Sequence, residues 1–219
     1  MEGISVIVPV FVNKPEHIPM TIRCINTAKQ TTKIPFELII VETGSSYFGD
    51  LSDIYIQEKE RTTTTISINR GWKISNREWK VYLSNDVFVK DGWLECLLDC
   101  FKKPDCGVAT LATSQHNHKK QDSIIEAIWF SLAMIPQRIF DKVGYFDEQY
   151  PGVFDDTDLL LRIYEVGYKE YMNFNCVVDH IPGSTVYGDK NHKLNFKIGR
   201  YILNEKFKDC KLPLFEKLR

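Results

Sequence analysis

At 219 residues, with 43% hydrophobic and 26% charged residues, the chain has the apolar content to bury a full core, and no compositional break marks a linker, so a single domain is expected. A formal net charge of −1 at pH 7 excludes a dedicated nucleic-acid binder, which would carry a basic excess across its surface; any anionic ligand must be held locally. Six cysteines, at 24, 96, 100, 106, 176 and 210, include no CxxC pair. That excludes a zinc ribbon or thioredoxin-type site and reads as reduced core thiols, although Cys96 and Cys100, four apart on a predicted helix, could touch. No basic and apolar leader lies ahead of the first strand-like segment and no apolar run is long enough to span a bilayer, so a cytoplasmic location is expected.

In chain order, Ile4 to Val10 is a short, mostly β-branched run that ends around Pro9, the pattern of a strand buried on both faces of a parallel sheet. Residues 15–30 place Ile18, Ile22 and Ile25 at helical spacing. A second strand over 36–41 closes at Glu42-Thr43-Gly44-Ser45-Ser46, a cluster of turn formers. Thr64 to Ile68 reads as a third strand, followed by a polar turn holding Asn69 and Gly71, and Val81 to Leu83 as a fourth. A helix is expected over 91–103, capped by Asp91 and stopped by Pro104, then a strand over 107–111. A polar loop over 114–122, with His116, His118, Lys119 and Lys120 as a solvated group, leads into 124–135, apolar enough for one strand crossing the sheet, with Trp129 and Phe130 in the core. Residues 158–168 form a helix with Leu159, Leu160, Ile163 and Val166 on one face and Asp158 paired to Arg162.

Alternating strands and helices predict right-handed βαβ units, and in such open sheets ligands bind beyond the carboxyl ends of the strands. Pro9, Val10, Glu42, Asn69 and Ser84-Asn85-Asp86 all fall there. Neither GxGxxG nor GxxxxGK[ST] is present, so a bound diphosphate would need another counter-charge; a hard divalent cation on Asp86 is one, a plain turn at 84–86 the alternative.

The blocks ISVIVPVF, LIIVETGSS, NRGWKISN, YLSNDVFV, VGYFDE, FDDTDLLLR and DHIPGST, in that order, resemble the inverting glycosyltransferases of family 2, and in particular their rhamnosyltransferase-like branch, over about residues 4–185. The resemblance implies a GT-A fold, α/β with a mostly parallel central sheet and flanking helices. It further implies a nucleotide-binding half over about 1–110, an acceptor half over about 111–185 and a basic tail over 186–219. The expected partners are a nucleoside-diphosphate sugar donor and a glycan, lipid-linked or protein acceptor, with no nucleic acid. By the same resemblance Asp86 and His180 hold a divalent metal, Mn2+ or Mg2+, and Glu42, Pro9 and Val10 line the nucleoside. Asn69, Gly71, Asn76 and Asn85 flank the donor, and Asp156, beside Asp155, is the general base.

The chemistry fits these types: inversion needs a base for the acceptor hydroxyl and charge stabilisation on the leaving diphosphate. Two further readings stay open. Asp155, Asp156 and Asp158 would also serve as helix-capping acids, and the chain as a non-catalytic sugar-nucleotide or glycan binder. A nucleotidyltransferase would need a glycine-rich loop after the first strand, which Phe11 to Pro15 does not supply. The tail, with nine Lys or Arg against four Asp or Glu over 186–219, places Leu194, Ile198, Tyr201 and Ile202 at helical spacing. It is a packing helix with a solvated basic face, a lid, or a peripheral membrane contact.

Overall fold

The first strand, β1 (Ile4–Phe11), is buried along almost its whole length, and its two faces feed two different cores. A computed structural model describes residues 3–114, 124–127, 132–181 and 191–218; the loop residues 115–122, Trp129, Phe130 and 182–190 lie outside the described residues. After β1 come α1 (His17–Gln30), β2 (Glu37–Thr43), β3 (Ile54–Glu58), α2 (Thr64–Ile74), β4 (Trp79–Leu83), β5 (Val87–Phe88) and α3 (Trp93–Cys100). There follow β6 (Cys106–Thr113), β7 (Ile124–Glu126), β8 (Leu132–Pro136), α4 (Gln137–Val143), α5 (Asp155–Glu165), β9 (Lys169–His180), α6 (His192–Lys206) and α7 (Pro213–Leu218).

The strands form one sheet in the order β3-β2-β1-β4-β8-β6-β9-β5, with β7 paired to β9. Strands β1 to β4, β6 and β9 run one way, while β5, β7 and β8 run against them. The result is an α/β architecture with a mostly parallel central sheet between helical layers. Val6, Val8 and Val10 face a core shared with Cys24 and Ile25 of α1 and Trp93 and Leu97 of α3. Ile7, Ile39 and Val41 face the other core, with Ile68 and Trp72 of α2, Ile139 of α4 and Leu159 and Ile163 of α5. Period-2 burial on both faces is what reads in sequence as an unbroken apolar run.

Several sequence expectations are corrected. Thr64 to Ile68 is the start of helix α2, not a strand. The β-branched run favours strand, but the Thr63 hydroxyl caps the helix by accepting from Ile66 N, and the buried residues Thr65, Ile68, Asn69 and Trp72 repeat at helical spacing. The third strand is Ile54–Glu58, at the sheet edge. Helix α3 is shorter than 91–103 and is entered through Gly92, at φ 77°, rather than capped by Asp91. The run 124–135 is two strands, with β8 inserted antiparallel between β4 and β6. Helix α5 starts at Asp155, three residues earlier than expected. The cysteines are not all reduced: α3 packs on β9 and joins Cys96 to Cys176 in a disulfide, Cα atoms 6.2 Å apart, while Cys24, Cys100 and Cys106 are buried thiols. Among the described residues no helix is long and apolar enough to cross a membrane.

The expected Asp158–Arg162 pair exists and is the hub of a larger network. Asp158 is fully buried; its Oδ2 accepts from Arg162 Nε at 2.7 Å, and its Oδ1 meets Lys206 Nζ at 2.6 Å and the Tyr150 hydroxyl at 3.4 Å. Arg162 also donates to the carbonyls of Val143 and Tyr145. The last turn of α6 is thus bound to the first turn of α5.

Candidate active site

Parallel strands bring their carboxyl ends to one edge of the sheet, and there the chain turns at Ser84-Asn85-Asp86, just past β4. Val87 N donates to Ser84 O at 3.1 Å, closing the turn. Helix α1 holds it from below, through Asn85 Nδ2 to Thr21 Oγ1 at 3.0 Å and Cys24 Sγ to Ser84 O at 3.4 Å. Asn85 is therefore buried and engaged with α1. The Ser84 hydroxyl donates to Asp86 Oδ1 at 2.6 Å and fixes the carboxylate's orientation.

Strand β9 completes this corner. Its last residues pair antiparallel with β5, Val87 opposite His180, and Ile181 N donates to Asp86 O at 3.1 Å. Main-chain pairing thus sets His180 against Asp86, with Nε2 3.5 Å from Oδ1. His180 Nδ1 is buried without a hydrogen-bond partner. A carboxylate oxygen and the imidazole Nε2 side by side are donor types that could hold a divalent cation. Among the described residues no cluster of three or more His, Cys, Asp or Glu accompanies them, so most of a cation's shell would come from ligand and water.

The second acidic group enters from the helices. Because α2 and α5 run antiparallel to the strands that follow them, their N-termini lie at this same edge. Asp155 opens α5 and is buried, its Oδ2 accepting a 2.6 Å bond from the Thr65 hydroxyl of α2. Asp156 is half-buried, its Oδ1 accepting from Thr157 N at 2.7 Å and from the Thr157 hydroxyl. Burial first, then the charge of Asp156, pushes the Asp155 carboxyl well above the usual aspartate range, against the lowering effect of Thr65; burial also raises Asp156. Tyr82 of β4 feels both acidic groups: burial and the charges of Asp86, then Asp155 and Asp156, raise its phenol far enough to keep it protonated, against the lowering effect of Ser84. The turn into α5 is strained, since Phe154 is the one non-glycine among the described residues at positive φ, 67°.

The loop after β2 is organised by Glu42, fully buried at the end of that strand. Its carboxylate accepts from the Ser45 hydroxyl at 2.6 Å, Tyr47 N at 2.9 Å, Phe48 N at 3.1 Å and the Tyr55 hydroxyl at 2.9 Å. Burial and this contact push the Tyr55 phenol up to about 12. Glu42 is thus the anchor of the loop after β2. Pro9 and Val10 are buried beneath it, paired with Val41 and Glu42, and the Arg61 guanidinium stacks 4.4 Å over Phe11 at the strand's end.

Three predicted donor residues sit elsewhere. Asn69 is buried in α2, its Nδ2 donating to Phe146 O and Glu148 Oε1, both at 2.9 Å, and its Oδ1 accepting from Phe146 N. Gly71 faces β1; a Cβ there would stand 2.5 Å from Ile7 Cγ2, so it permits close helix packing. Asn76 is exposed just past the C-terminal end of α2, beside the start of β1, at the opposite edge of the sheet. Misreading α2 as a strand causes that displacement. It also hid Thr65, whose only sequence signal is its place in the first turn after the Thr63 cap, and Tyr82, which reads simply as strand.

No curated protein matches the chain. The family model described as glycosyl transferase family 2 matches residues 5–139, which span β1 to α4 and include the Asp86 turn. With well over half its length inside that match and the mostly parallel α/β sheet described above, the chain belongs to glycosyl transferase family 2.

Proposed function

We propose that the chain is an inverting, divalent-metal-dependent glycosyltransferase of rhamnosyltransferase-like type, using a nucleoside-diphosphate sugar donor. What supports this reading is that two acidic groups, Asp86 with His180 and Asp155 with Asp156, both act on Tyr82 at the strand-end edge of the sheet.

Asp86 and His180 would hold Mn2+ or Mg2+, which supplies positive charge to the departing diphosphate. The nucleoside lies at the ends of β1 and β2, against the loop that Glu42 ties down. Asp156 takes the proton of the acceptor hydroxyl, Thr157 fixing one of its oxygens and leaving the carboxyl aligned. Asp155, bonded to Thr65, holds the first turn in which Asp156 stands, and burial raises the basicity of Asp156. The elevated affinity of the pair for a proton suits a base working near neutral pH.

The test is donor turnover in the presence of manganese for wild type, Asp86→Ala and Asp156→Asn. Loss in both variants with wild-type melting behaviour is expected; tight donor binding with no turnover by wild type would instead make the chain a binding domain.

A further inference from the structure

Helix α6 packs inward through Leu203 and Ile202 yet leaves a second apolar stripe facing out. Gly199 and Leu203, four apart, are its buried positions. A Cβ on Gly199 would stand 2.7 Å from Val153 O, so this side sits tightly on the turn before α5. The opposite side carries Leu194, Ile198 and Tyr201, one stripe at i, i+4 and i+7, with 55%, 41% and 68% of their surface exposed. Lys193 and Lys197 flank that stripe, both exposed, and among the described residues neither has a carboxylate partner. Glu205, in the last turn, is the only acid in the helix. The last turn is pinned by Lys206, 2.8 Å from Asp147 and 2.6 Å from Asp158, so the outward face is rigidly presented.

We propose that the outer face of α6 docks on an anionic lipid surface, with Leu194, Ile198 and Tyr201 entering the headgroup boundary and Lys193 and Lys197 on lipid phosphates. The charge pattern selects this occupant: residues 186–219 hold nine Lys or Arg against four Asp or Glu, while the whole chain is at −1. An apolar stripe edged by unpaired lysines on a rigid helix is the pattern of interfacial binding, where apolar burial and attraction to anionic lipid add. A second copy of the chain would bring the same lysines against one another.

The experiment is co-sedimentation of the full chain with vesicles of phosphatidylcholine alone or mixed equally with phosphatidylglycerol. Binding to the mixed vesicles only is expected, weakening with salt. Lys193→Glu with Lys197→Glu should weaken it more than about twentyfold, since each lysine near an anionic surface contributes roughly fivefold. Leu194→Gln, Ile198→Gln and Tyr201→Gln together should weaken it at least ~tenfold without lowering the thermal midpoint, because these side chains are exposed. Absence of binding, equal binding to both vesicles, or binding unchanged in both variants overturns the proposal. So does a concentration-dependent dimer in sedimentation velocity that the triple variant abolishes, which would make this face a self-contact.

Discussion

The Thr65 hydroxyl donates to Asp155 Oδ2 at 2.6 Å, joining the first turn of α2 to the first turn of α5 across residues ninety positions apart. Two helix N-termini thereby meet over an acidic pair. Thr65→Val keeps the shape and removes the donor, so the Asp155–Asp156 pair holds its proton more tightly. The acidic limb of the pH–activity profile, a property of the pair, should move to higher pH. A loss of activity with no movement of that limb would leave Thr65 with a purely packing role.

Asp155 also makes stability depend on pH. Its pKa is raised from 3.8 to about 7, so the stability of its protonated form is fully present below the unfolded value and is lost as pH rises through the folded one. Asp155→Asn cannot ionise and escapes that loss. Its stability should match wild type near pH 4 and exceed it near pH 8, by on the order of 2 kcal/mol, with a higher thermal midpoint there. Melting curves at the two pH values decide it.

Asp86→Ala and His180→Ala should each abolish the extra thermal stabilisation that manganese gives in the presence of a nucleoside diphosphate. Turnover should fall by on the order of a hundredfold. A full manganese effect in His180→Ala would remove that residue from the metal's shell.

Asp158→Ala removes the buried carboxylate that Arg162 and Lys206 share, leaving Arg162 its two carbonyls and Lys206 only Asp147. A loss of about 2–3 kcal/mol is expected, below the cost of a fully buried unpaired charge because both cations keep other partners, read as a shifted denaturant midpoint. Because Lys206 belongs to α6, fragments released by mild proteolysis should also show that helix freed first.

Reduction of the Cys96–Cys176 disulfide opens a loop of eighty residues. A fall of about 2–4 kcal/mol in stability should follow; equal alkylation of native and reduced protein at Cys96 and Cys176 would show that the bond does not form in solution.

The sheet was legible because β1, β2, β4 and β6 are buried on both faces and appear as short β-branched runs. The strand-end rule pointed to Asp86, while Asp155, Asp156 and His180 were singled out by the ordered blocks of the family resemblance. Thr64 to Ile68 misled because propensity and period conflict there; the Thr63 cap and the burial of Ile68 and Trp72 settle it as helix. That error carried Asn76 to the wrong edge and left Thr65 unseen. Tyr82 and Glu42 owe their roles to partners distant in sequence or in a loop, which no local pattern encodes. In α6 the amphipathic period was visible, but a glycine rather than a leucine stripe marks its inward side.

The strained residue next to the acidic pair has one more implication. Phe154 is held at φ 67°, a backbone state worth roughly 1–3 kcal/mol of strain, and its ring is clasped by Phe196 at 4.8 Å and by the Arg200 guanidinium at 5.5 Å, both from α6. The aspartates are consequently shaped from outside the sheet, by a buttress that lies beyond residue 139, where the family match ends. On the proposed reading, a chain cut short before α6 should keep the end of the sheet that Glu42 anchors and lose the set of its acids, so that donor binding would outlast transfer.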